Sequence, residues 1–304
     1  MEASASGLKL TPLRAFVRLS RPLFLYGGFA GVALGAAVAY RSAYPLDLGT
    51  YVWAQLLVTS FHLMVHYAND YYDRESDATA VPTRWSGGSR VLVDGHLRPQ
   101  VALAASLVCV ASGLIACAHF ALAGNPLLAA LGIAILAFAW CYSAPPVRFA
   151  ARGLGEVDTA LVVAVLFPFA GYAAFAGRID TTIAAAVIPP ALAMIAMMLG
   201  VELPDADCDR QAGKRNLVVI WGSAAAGGLI ALTATLAAIF AIGLAARVYG
   251  GFGPLALVPA AGAALKLVLL LNRGARPGPI AFWGVALYAT LVTGLAVVYA
   301  LAAR

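Results

Sequence analysis

Residues 52–77 have the sequence VWAQLLVTSFHLMVHYANDYYDRESD, in which a long apolar run ends in a stretch that holds four of the chain's fourteen acidic residues. A second acidic stretch, residues 202–209 with the sequence ELPDADCD, ends another apolar run much later. Nine of the fourteen acidic residues lie in the two loops that hold these stretches. Because most of the remaining sequence is apolar, the polar chemistry of the chain is concentrated at these two places.

The composition is that of a polytopic membrane protein. Of the 304 residues, 62% are apolar and only 11% are charged, and the mean hydropathy is +0.87, whereas a soluble domain carries about 25% charged residues. The net charge of +6 reports topology in such a protein, and no basic cluster interleaved with aromatic residues indicates a nucleic-acid partner. We therefore expect a protein of the lipid bilayer that does not bind nucleic acid.

The apolar runs predict an all-α bundle of nine transmembrane helices in a single domain, residues 1–304. Each run can cross a hydrocarbon core of about 30 Å, and strands are not expected because irregular backbone cannot face lipid. The first run is too long for the apolar part of a signal peptide, which has about 7–15 residues. The predicted spans cover residues 22–40, 48–68, 99–121, 126–144, 157–176, 182–201, 217–245, 254–272 and 279–302.

The distribution of Lys and Arg predicts the orientation of this bundle. Fifteen of the twenty basic residues fall on one side of the nine spans, and Lys266 lies inside a span; the four on the other side are Arg41, Arg178, Arg247 and Arg304. The positive-inside rule then places the N-terminus and both acidic loops in the cytoplasm and the C-terminus outside. We expect the cytoplasmic loops to cap a central cavity, and the location to be a bacterial inner membrane, with an organellar membrane as the open alternative.

The N-terminal segment, residues 1–21, is basic and is expected to be cytoplasmic. Between Leu8 and Ser20 it mixes apolar residues with Lys9, Arg14 and Arg18. Two interpretations stand: a basic amphipathic helix that lies on the anionic inner leaflet, or a flexible tail that only sets topology.

The spacing of the acidic residues is the strongest functional signal. If the first stretch continues as a helix out of the second span, Asp70, Asp73 and Asp77 share one face with Asn69 beside them. In the second stretch Asp205 and Asp209 are four residues apart, while Asp207 points elsewhere. Clustered carboxylates repel one another unless a cation neutralises them, and Mg²⁺ binds carboxylate and phosphate oxygens. Two such clusters suit two metal ions that hold one diphosphate.

Several other features are weaker signals. Basic residues that follow the clusters can bind phosphate oxygens, although positive-inside topology explains any single one. His66 lies one turn before Asp70 and is expected to form hydrogen bonds in the cavity wall, the alternative being a zinc pair with His62.

Glu156 and Asp158 begin the fifth span, where they favour a helix N-terminus. Pro189 and Pro190 should kink the sixth span and open space in the bundle, the alternative being a kink with no role. The four cysteines, which form no C-x-x-C pair, are expected to be reduced packing residues.

At these residues the chain resembles the UbiA superfamily of intramembrane prenyltransferases. The first motif of that family, N-D-x-x-D-x-x-x-D, is matched in full at residues 69–77, and the second, D-x-x-x-D, at residues 205–209. The flanking segments Arg21-Pro22, 142–146 (YSAPP) and 213–215 (GKR) are similar too. Within the superfamily, the segments 68–73 (ANDYYD) and 209–215 (DRQAGKR) most resemble the menaquinone branch, the 1,4-dihydroxy-2-naphthoate polyprenyltransferases.

The resemblance implies a Mg²⁺-dependent transfer of a prenyl group from a prenyl diphosphate to an aromatic acceptor. It implies metal ligands at Asp70, Asp73, Asp77, Asp205 and Asp209, with Asn69 as a further catalytic residue. The residues that it implies for substrate binding are Arg21, His66, Arg84, Arg90, Tyr142, Arg148, Lys214 and Arg215.

One departure leaves the acceptor open. The menaquinone branch often has Asn-Asn-x-Arg-Asp before its second motif, and here residues 201–205 are VELPD. The acceptor is therefore 1,4-dihydroxy-2-naphthoate or another compound such as 4-hydroxybenzoate, homogentisate or a chlorin. An ion-coupled transporter is the competing class, since intramembrane acids often mark ion paths, but here the acids cluster on one side. The sequence gives neither the prenyl chain length nor the oligomeric state.

Overall fold

The structure, a computed structural model, describes residues 10–79 and 88–302, so Arg84 lies outside the described residues. Within these ranges the chain is helical and has no strand, as predicted. A π-helical segment, Ala160–Leu166, and three 3₁₀ segments, Phe149–Ala151, Leu203–Asp205 and Gly250–Leu257, connect some of the α-helices. The α-helices are α1 (Pro12–Leu19), α2 (Pro22–Arg41), α3 (Leu48–Thr79), α4 (Pro99–Leu122), α5 (Pro126–Ser143), α6 (Gly155–Thr159), α7 (Phe167–Ala176), α8 (Thr181–Ala186), α9 (Ile188–Glu202), α10 (Ala206–Gln211), α11 (Leu217–Tyr249), α12 (Val258–Asn272) and α13 (Pro277–Leu301).

Eight continuous helical segments in the described ranges are long and apolar enough to cross a membrane. The longest, Leu217–Asn272, has 56 residues and contains α11, a 3₁₀ segment and α12. Because α12 packs back against α11, this segment crosses twice and supplies the predicted seventh and eighth spans. The prediction of nine spans is thus confirmed for the residues that the structure describes.

Two helix breaks have identifiable causes. The sixth span is interrupted at Val187, between α8 and α9, and Pro189 and Pro190 occupy the first turn of α9. This interruption agrees with the predicted kink, because proline fits the first turn of a helix but not its interior. The second break, at Gly222 in α11 with φ of 83°, was not predicted, since a single glycine in an apolar helix has no unique sequence signal.

The helices pack around two large buried clusters. One unites α2, α9, α11, α12 and α13, and the other unites α3, α4, α5 and α7. The two meet where α2 crosses α7, and there glycines allow the backbones to touch. A Cβ on Gly171 would lie 2.9 Å from the Cα of Val32, and one on Gly35 would lie 2.6 Å from the backbone N of Tyr172. Small residues at such crossings are the usual means of close packing between membrane helices.

The α2–α7 crossing yields a stability prediction. Gly35→Ala should lower the free energy of unfolding by roughly 1–3 kcal/mol, because the added methyl group overlaps backbone that cannot move aside as a side chain could. Thermal unfolding in detergent measures this effect. Gly228→Ala in α11 is the control, since a Cβ there meets no atom within 4 Å. Equal melting temperatures for the two variants would contradict a close contact at this crossing.

Candidate active site

A cavity of about 290 Å³ lies inside the helix bundle and contains parts of both acidic motifs. Its polar end is lined by residues of both motifs and by Arg21 and Lys214, and its other end is apolar. The expectation that the two motifs face one cavity therefore agrees with the geometry. The apolar end is lined mainly by Phe61, Val162, Phe167, Met194, Met198 and Val285.

The first motif is helical throughout, because α3 continues without a break to Thr79. Asn69, Asp73 and Asp77 line the cavity at successive turns of this helix, and the two carboxylates are buried. The amide Nδ2 of Asn69 donates to Asp73 Oδ2 at 2.8 Å and to Ser143 Oγ at 2.8 Å. These bonds fix the orientation of Asp73 toward the cavity.

Asp70 lies in a different position from the other residues of this motif. It is not among the described residues that line the cavity. Its Oδ1 accepts hydrogen bonds from Arg21 Nη2 and from the backbone N–H of Ser89 at 3.3 Å, and its Oδ2 accepts one from the hydroxyl of Ser89. Both carboxylate oxygens of Asp70 thus accept hydrogen bonds from protein donors. In this structure Asp70 holds Arg21 and the segment around Ser89 in place. Its role as a metal ligand stays a prediction.

The second motif begins at the end of the 3₁₀ segment Leu203–Asp205 and continues into α10. Asp205 and Asp209 both line the cavity. Asp209 Oδ2 accepts a hydrogen bond of 2.8 Å from Asn216 Nδ2. Asp207 points away, with 89% of its side chain exposed, and pairs with Arg210 at 2.9 Å. The structure therefore agrees with the sequence-based expectation for all three carboxylates.

Lys214 connects the two motifs. Its Nζ lies 3.8 Å from Asp73 Oδ2 and 3.9 Å from Asp209 Oδ1. Gly213, with φ of 76°, ends the preceding turn, in which the N–H of Lys214 donates to the carbonyl of Asp209. Arg148 Nη2 lies 3.4 Å from Asp73 Oδ1. The ammonium group thus offsets part of the repulsion between carboxylates that come from opposite walls of the cavity.

The remaining predicted binding residues fall into two groups. Tyr142 and His66 line the cavity, and His66 Nδ1 contacts the carbonyl oxygen of Ser20 at 3.1 Å, as expected for a hydrogen-bonding wall residue. Arg90 and Arg215 are not among the described cavity-lining residues. Arg90 instead donates to the carbonyl of Asp77 at 2.7 Å, so it holds the end of the first motif from outside the cavity.

Three acidic residues near the second motif, of which Glu156 and Asp158 are buried and Glu202 is half-buried, have roles that the sequence did not predict. Glu156 is completely buried, and its Oε1 accepts a hydrogen bond of 2.5 Å from the backbone N–H of Leu217. Glu156 therefore caps the N-terminus of α11, in addition to any effect on the N-terminus of α6, the helix in which it lies. Asp158 and Glu202 line the cavity. Their signal in the sequence was the presence of charge in apolar segments, which is costly and usually functional.

Cavity-lining residues of two membrane spans also reach the outer surface of the bundle. Leu23 and Tyr26 of α2 line the cavity and are also exposed on the outside, by 53% and 39%. Ala289 of α13 lies on the other side of this opening, where its carbonyl accepts a hydrogen bond of 3.1 Å from Tyr26. These residues of α2 and α13 therefore connect the wall of the cavity with the lipid-facing surface of the bundle.

The donor set of the polar end fits a hard divalent cation. Asn69, Asp73, Asp77, Asp205 and Asp209 supply only carboxylate and amide oxygens, the ligands that Mg²⁺ prefers. Among residues 10–79 and 88–302, no three acidic, His or Cys side chains converge closely enough to surround an ion. In magnesium sites of proteins, substrate phosphates and water usually complete one or two carboxylates.

Comparisons with known proteins identify the family of this chain. The family model of the UbiA prenyltransferase family matches residues 29–291. The chain is 23% identical over 231 residues to 1,4-dihydroxy-2-naphthoate octaprenyltransferase of Bacillus subtilis (strain 168), a match that covers 75% of this chain and 72% of that protein. It is 27% identical over 211 residues to UbiA prenyltransferase domain-containing protein 1 of Xenopus tropicalis, covering 68% of this chain and 59% of that protein.

Solved structures show the same fold. A UbiA homolog from Archaeoglobus fulgidus bound to GPP and Mg²⁺ superposes with a TM-score of 0.66 at 19% identity, over 93% of this chain and 99% of that chain. A UbiA homolog from Aeropyrum pernix K1 superposes with a TM-score of 0.70, also at 19% identity, over 89% of this chain and 97% of that chain. At these identities the similarity establishes the architecture of the bundle.

Proposed function

Because the chain belongs to the UbiA prenyltransferase family, we propose that it transfers a prenyl group from a prenyl diphosphate to 1,4-dihydroxy-2-naphthoate within the membrane, with Mg²⁺ as cofactor. The observation that carries this proposal is the placement of both acidic motifs at the polar end of one cavity whose other end is apolar. Such a cavity suits a substrate with a diphosphate head and a hydrocarbon tail.

The proposed metal ligands are Asp73 and Asp77 from the first motif and Asp205 and Asp209 from the second, with Asn69 orienting Asp73. Asp70 supports this set by holding Arg21 at the cavity. When bound, Mg²⁺ would neutralise the diphosphate and make it a better leaving group.

The chain's own residues support the other requirements of the reaction. Lys214 and Arg21 line the cavity and offer donors to diphosphate oxygens. Arg148 is not among the described cavity-lining residues, but its guanidinium group lies 3.4 Å from the cavity-lining Asp73. The bond between the prenyl carbon and the diphosphate oxygen breaks, and the acceptor carbon forms a new bond to that prenyl carbon. The apolar wall around Phe61 and Phe167 keeps water from the allylic cation. With a naphthoate acceptor, carbon dioxide leaves the same ring carbon.

The naphthoate assignment is supported by the similarity to the Bacillus subtilis enzyme and by the menaquinone-type segments of the sequence. One observation favours a second candidate, transfer to a different aromatic acceptor. Glu202 lines the cavity at a position where the menaquinone branch has an Asn. The wall that faces the substrates therefore differs in its chemistry from that branch, and this difference favours a different acceptor ring.

We also propose the orientation and location of the protein. The excess of basic residues on one side places the N-terminus and the acidic motifs in the cytoplasm and the C-terminus outside, in a bacterial inner membrane. The contact between Arg21 and Asp70 supports a common side for the N-terminal segment and the first motif.

Purified protein in lipid nanodiscs tests the proposal. Mg²⁺ and geranylgeranyl diphosphate are supplied with one of four acceptors: dihydroxynaphthoate, hydroxybenzoate, homogentisate or a reduced chlorin. We expect a prenylated, decarboxylated naphthoate together with released diphosphate, and loss of both when EDTA removes the metal. Product from another acceptor alone would reject the naphthoate assignment and retain prenyl transfer. If folded protein releases no diphosphate with any acceptor, including when longer donors are tried, prenyl transfer itself is rejected in favour of a transporter.

A further inference from the structure

Helix α1 lies against the bundle at the end that carries the first acidic motif. Its Thr11 hydroxyl caps the N-terminus, and the helix ends at Leu19. Ala15 and Leu19, one turn apart, are completely buried in a small apolar cluster with Tyr67 of α3 and Ala102 of α4. One face of α1 is therefore fixed to the protein.

The other two faces of α1 point outward and differ in character. Leu13 and Val17 form an apolar row, exposed by 74% and 50%. Arg14 and Arg18 form a basic row, also exposed, and neither makes an ion pair with any residue that the structure describes. A helix with adjacent apolar and basic rows at the end of a membrane span is suited to the boundary between acyl chains and headgroups.

The residues that follow α1 connect it to the cavity. The carbonyl of Ser20 contacts His66 Nδ1 at 3.1 Å, and the hydroxyl of Ser20 lies 2.7 Å from that of Tyr67. The next residue, Arg21, has a left-handed backbone with φ of 46° and reaches Asp70 with its guanidinium group. Because Arg21 lines the cavity, the position of α1 determines where one of the cations of the site lies.

We propose that Arg14 and Arg18 bind the headgroups of anionic phospholipids, and that this contact holds α1 and thereby Arg21 in the position required at the cavity. Charge complementarity carries the assignment, since two exposed guanidinium groups that have no ion pair with residues 10–79 or 88–302 lie beside an apolar row and match a negatively charged leaflet. The lipid contact stands independently of the reaction, whereas its effect on donor binding rests on the proposed prenyl transfer.

Hydrogen exchange of full-length protein in nanodiscs tests the lipid contact directly. Nanodiscs of pure phosphatidylcholine are compared with nanodiscs that also contain phosphatidylglycerol, and mass spectrometry follows the amides of residues 12–20. In wild-type protein we expect roughly tenfold slower exchange of this segment with the anionic lipid, because each Arg near an anionic surface contributes a several-fold preference. The double variant R14Q/R18Q should exchange equally in both lipids.

The matched control is the double variant R273Q/R276Q, which removes the same charge from the exposed connection between α12 and α13. It should retain the wild-type lipid response of residues 12–20. Equal exchange of wild-type protein in both lipids would overturn the proposal. Loss of the response in the control as well would also overturn it, since the effect would then be one of overall charge.

A second measurement tests the consequence for the reaction. In wild-type protein, anionic lipid should lower the KM for prenyl diphosphate several-fold and change kcat little, because Arg21 contributes to donor binding. R14Q/R18Q should lack this effect and R273Q/R276Q should keep it. If no variant or lipid supports prenyl transfer, the proposed function fails while the exchange result still decides the lipid contact. If transfer occurs with a lipid-independent KM, the coupling to Arg21 is rejected.

Discussion

Asp73→Asn is expected to lower kcat for prenyl transfer by at least about 100- to 1000-fold, because several kcal/mol of transition-state stabilisation depend on the metal-bound leaving group. Asp73 is buried at the polar end of the cavity and lies within reach of Lys214 and Arg148. The amide has the shape of the carboxylate but no charge. It therefore keeps the packing of α3 and weakens the hold on a divalent cation.

The thermal stability of Asp73→Asn distinguishes the loss of a metal ligand from misfolding of the variant. Asp73 and Asp77 are neighbouring carboxylates on one helix face, so removing one charge relieves repulsion within the motif. We therefore expect the melting temperature of Asp73→Asn to remain within a few degrees of the wild-type value. Diphosphate release at saturating donor and acceptor, measured beside thermal unfolding, reports both quantities for the same sample.

Asp207→Asn is the matched control for this experiment. Asp207 belongs to the second acidic stretch but points to solvent and pairs only with Arg210 among the described residues. Its substitution should leave turnover unchanged. Near-normal turnover of Asp73→Asn would contradict the metal assignment, and a comparable loss in Asp207→Asn would show that overall acidity matters more than the position of each carboxylate.

The parts of the site that the sequence predicted are those set by spacing along one helix. Residues three or four apart share a face whatever the tertiary structure, so Asp73 and Asp77 could be placed on the cavity side from spacing alone. The count of spans followed from hydrophobic length, since each crossing must be long and apolar. The alternating excess of basic residues supported that count independently.

The parts that could not be predicted depend on contacts between distant segments. Asp70 also shares the helical register of the first motif, but Arg21 and Ser89 engage both of its oxygens. Glu156 caps a helix whose first residue, Leu217, is 61 positions away. No periodicity in a single sequence identifies such partners. The cost of burying a charge only indicates that each of these residues must have one.

The segment that begins at Gly88 yields the second prediction of large effect. Gly88 has φ of 71°, and a Cβ placed on it would lie 3.0 Å from Cγ of Asp77 and would overlap one of its carboxylate oxygens. In Gly88→Ala the carboxylate of Asp77 must move away from its place at the cavity. Because a misplacement of about 1 Å at a catalytic group can cost about 100-fold, we expect kcat/KM to fall roughly 10- to 100-fold although no acidic residue is changed.

Gly95→Ala is the matched control, because it separates the effect of the contact with Asp77 from the effect of backbone strain. Gly95 lies in the same connection between α3 and α4 and has φ of 69°, but a Cβ on it meets no atom within 4 Å. Both substitutions impose the same unfavourable backbone conformation, with a cost of about 1–2 kcal/mol, so both should lower the melting temperature similarly. Only Gly88→Ala should lose prenyl transfer, and a higher Mg²⁺ concentration should restore part of it if Asp77 is a displaced metal ligand. Equal activities in the two variants would mean that the position of the Asp77 carboxylate does not matter for the reaction, because the contact with Asp77 is the difference between the two sites.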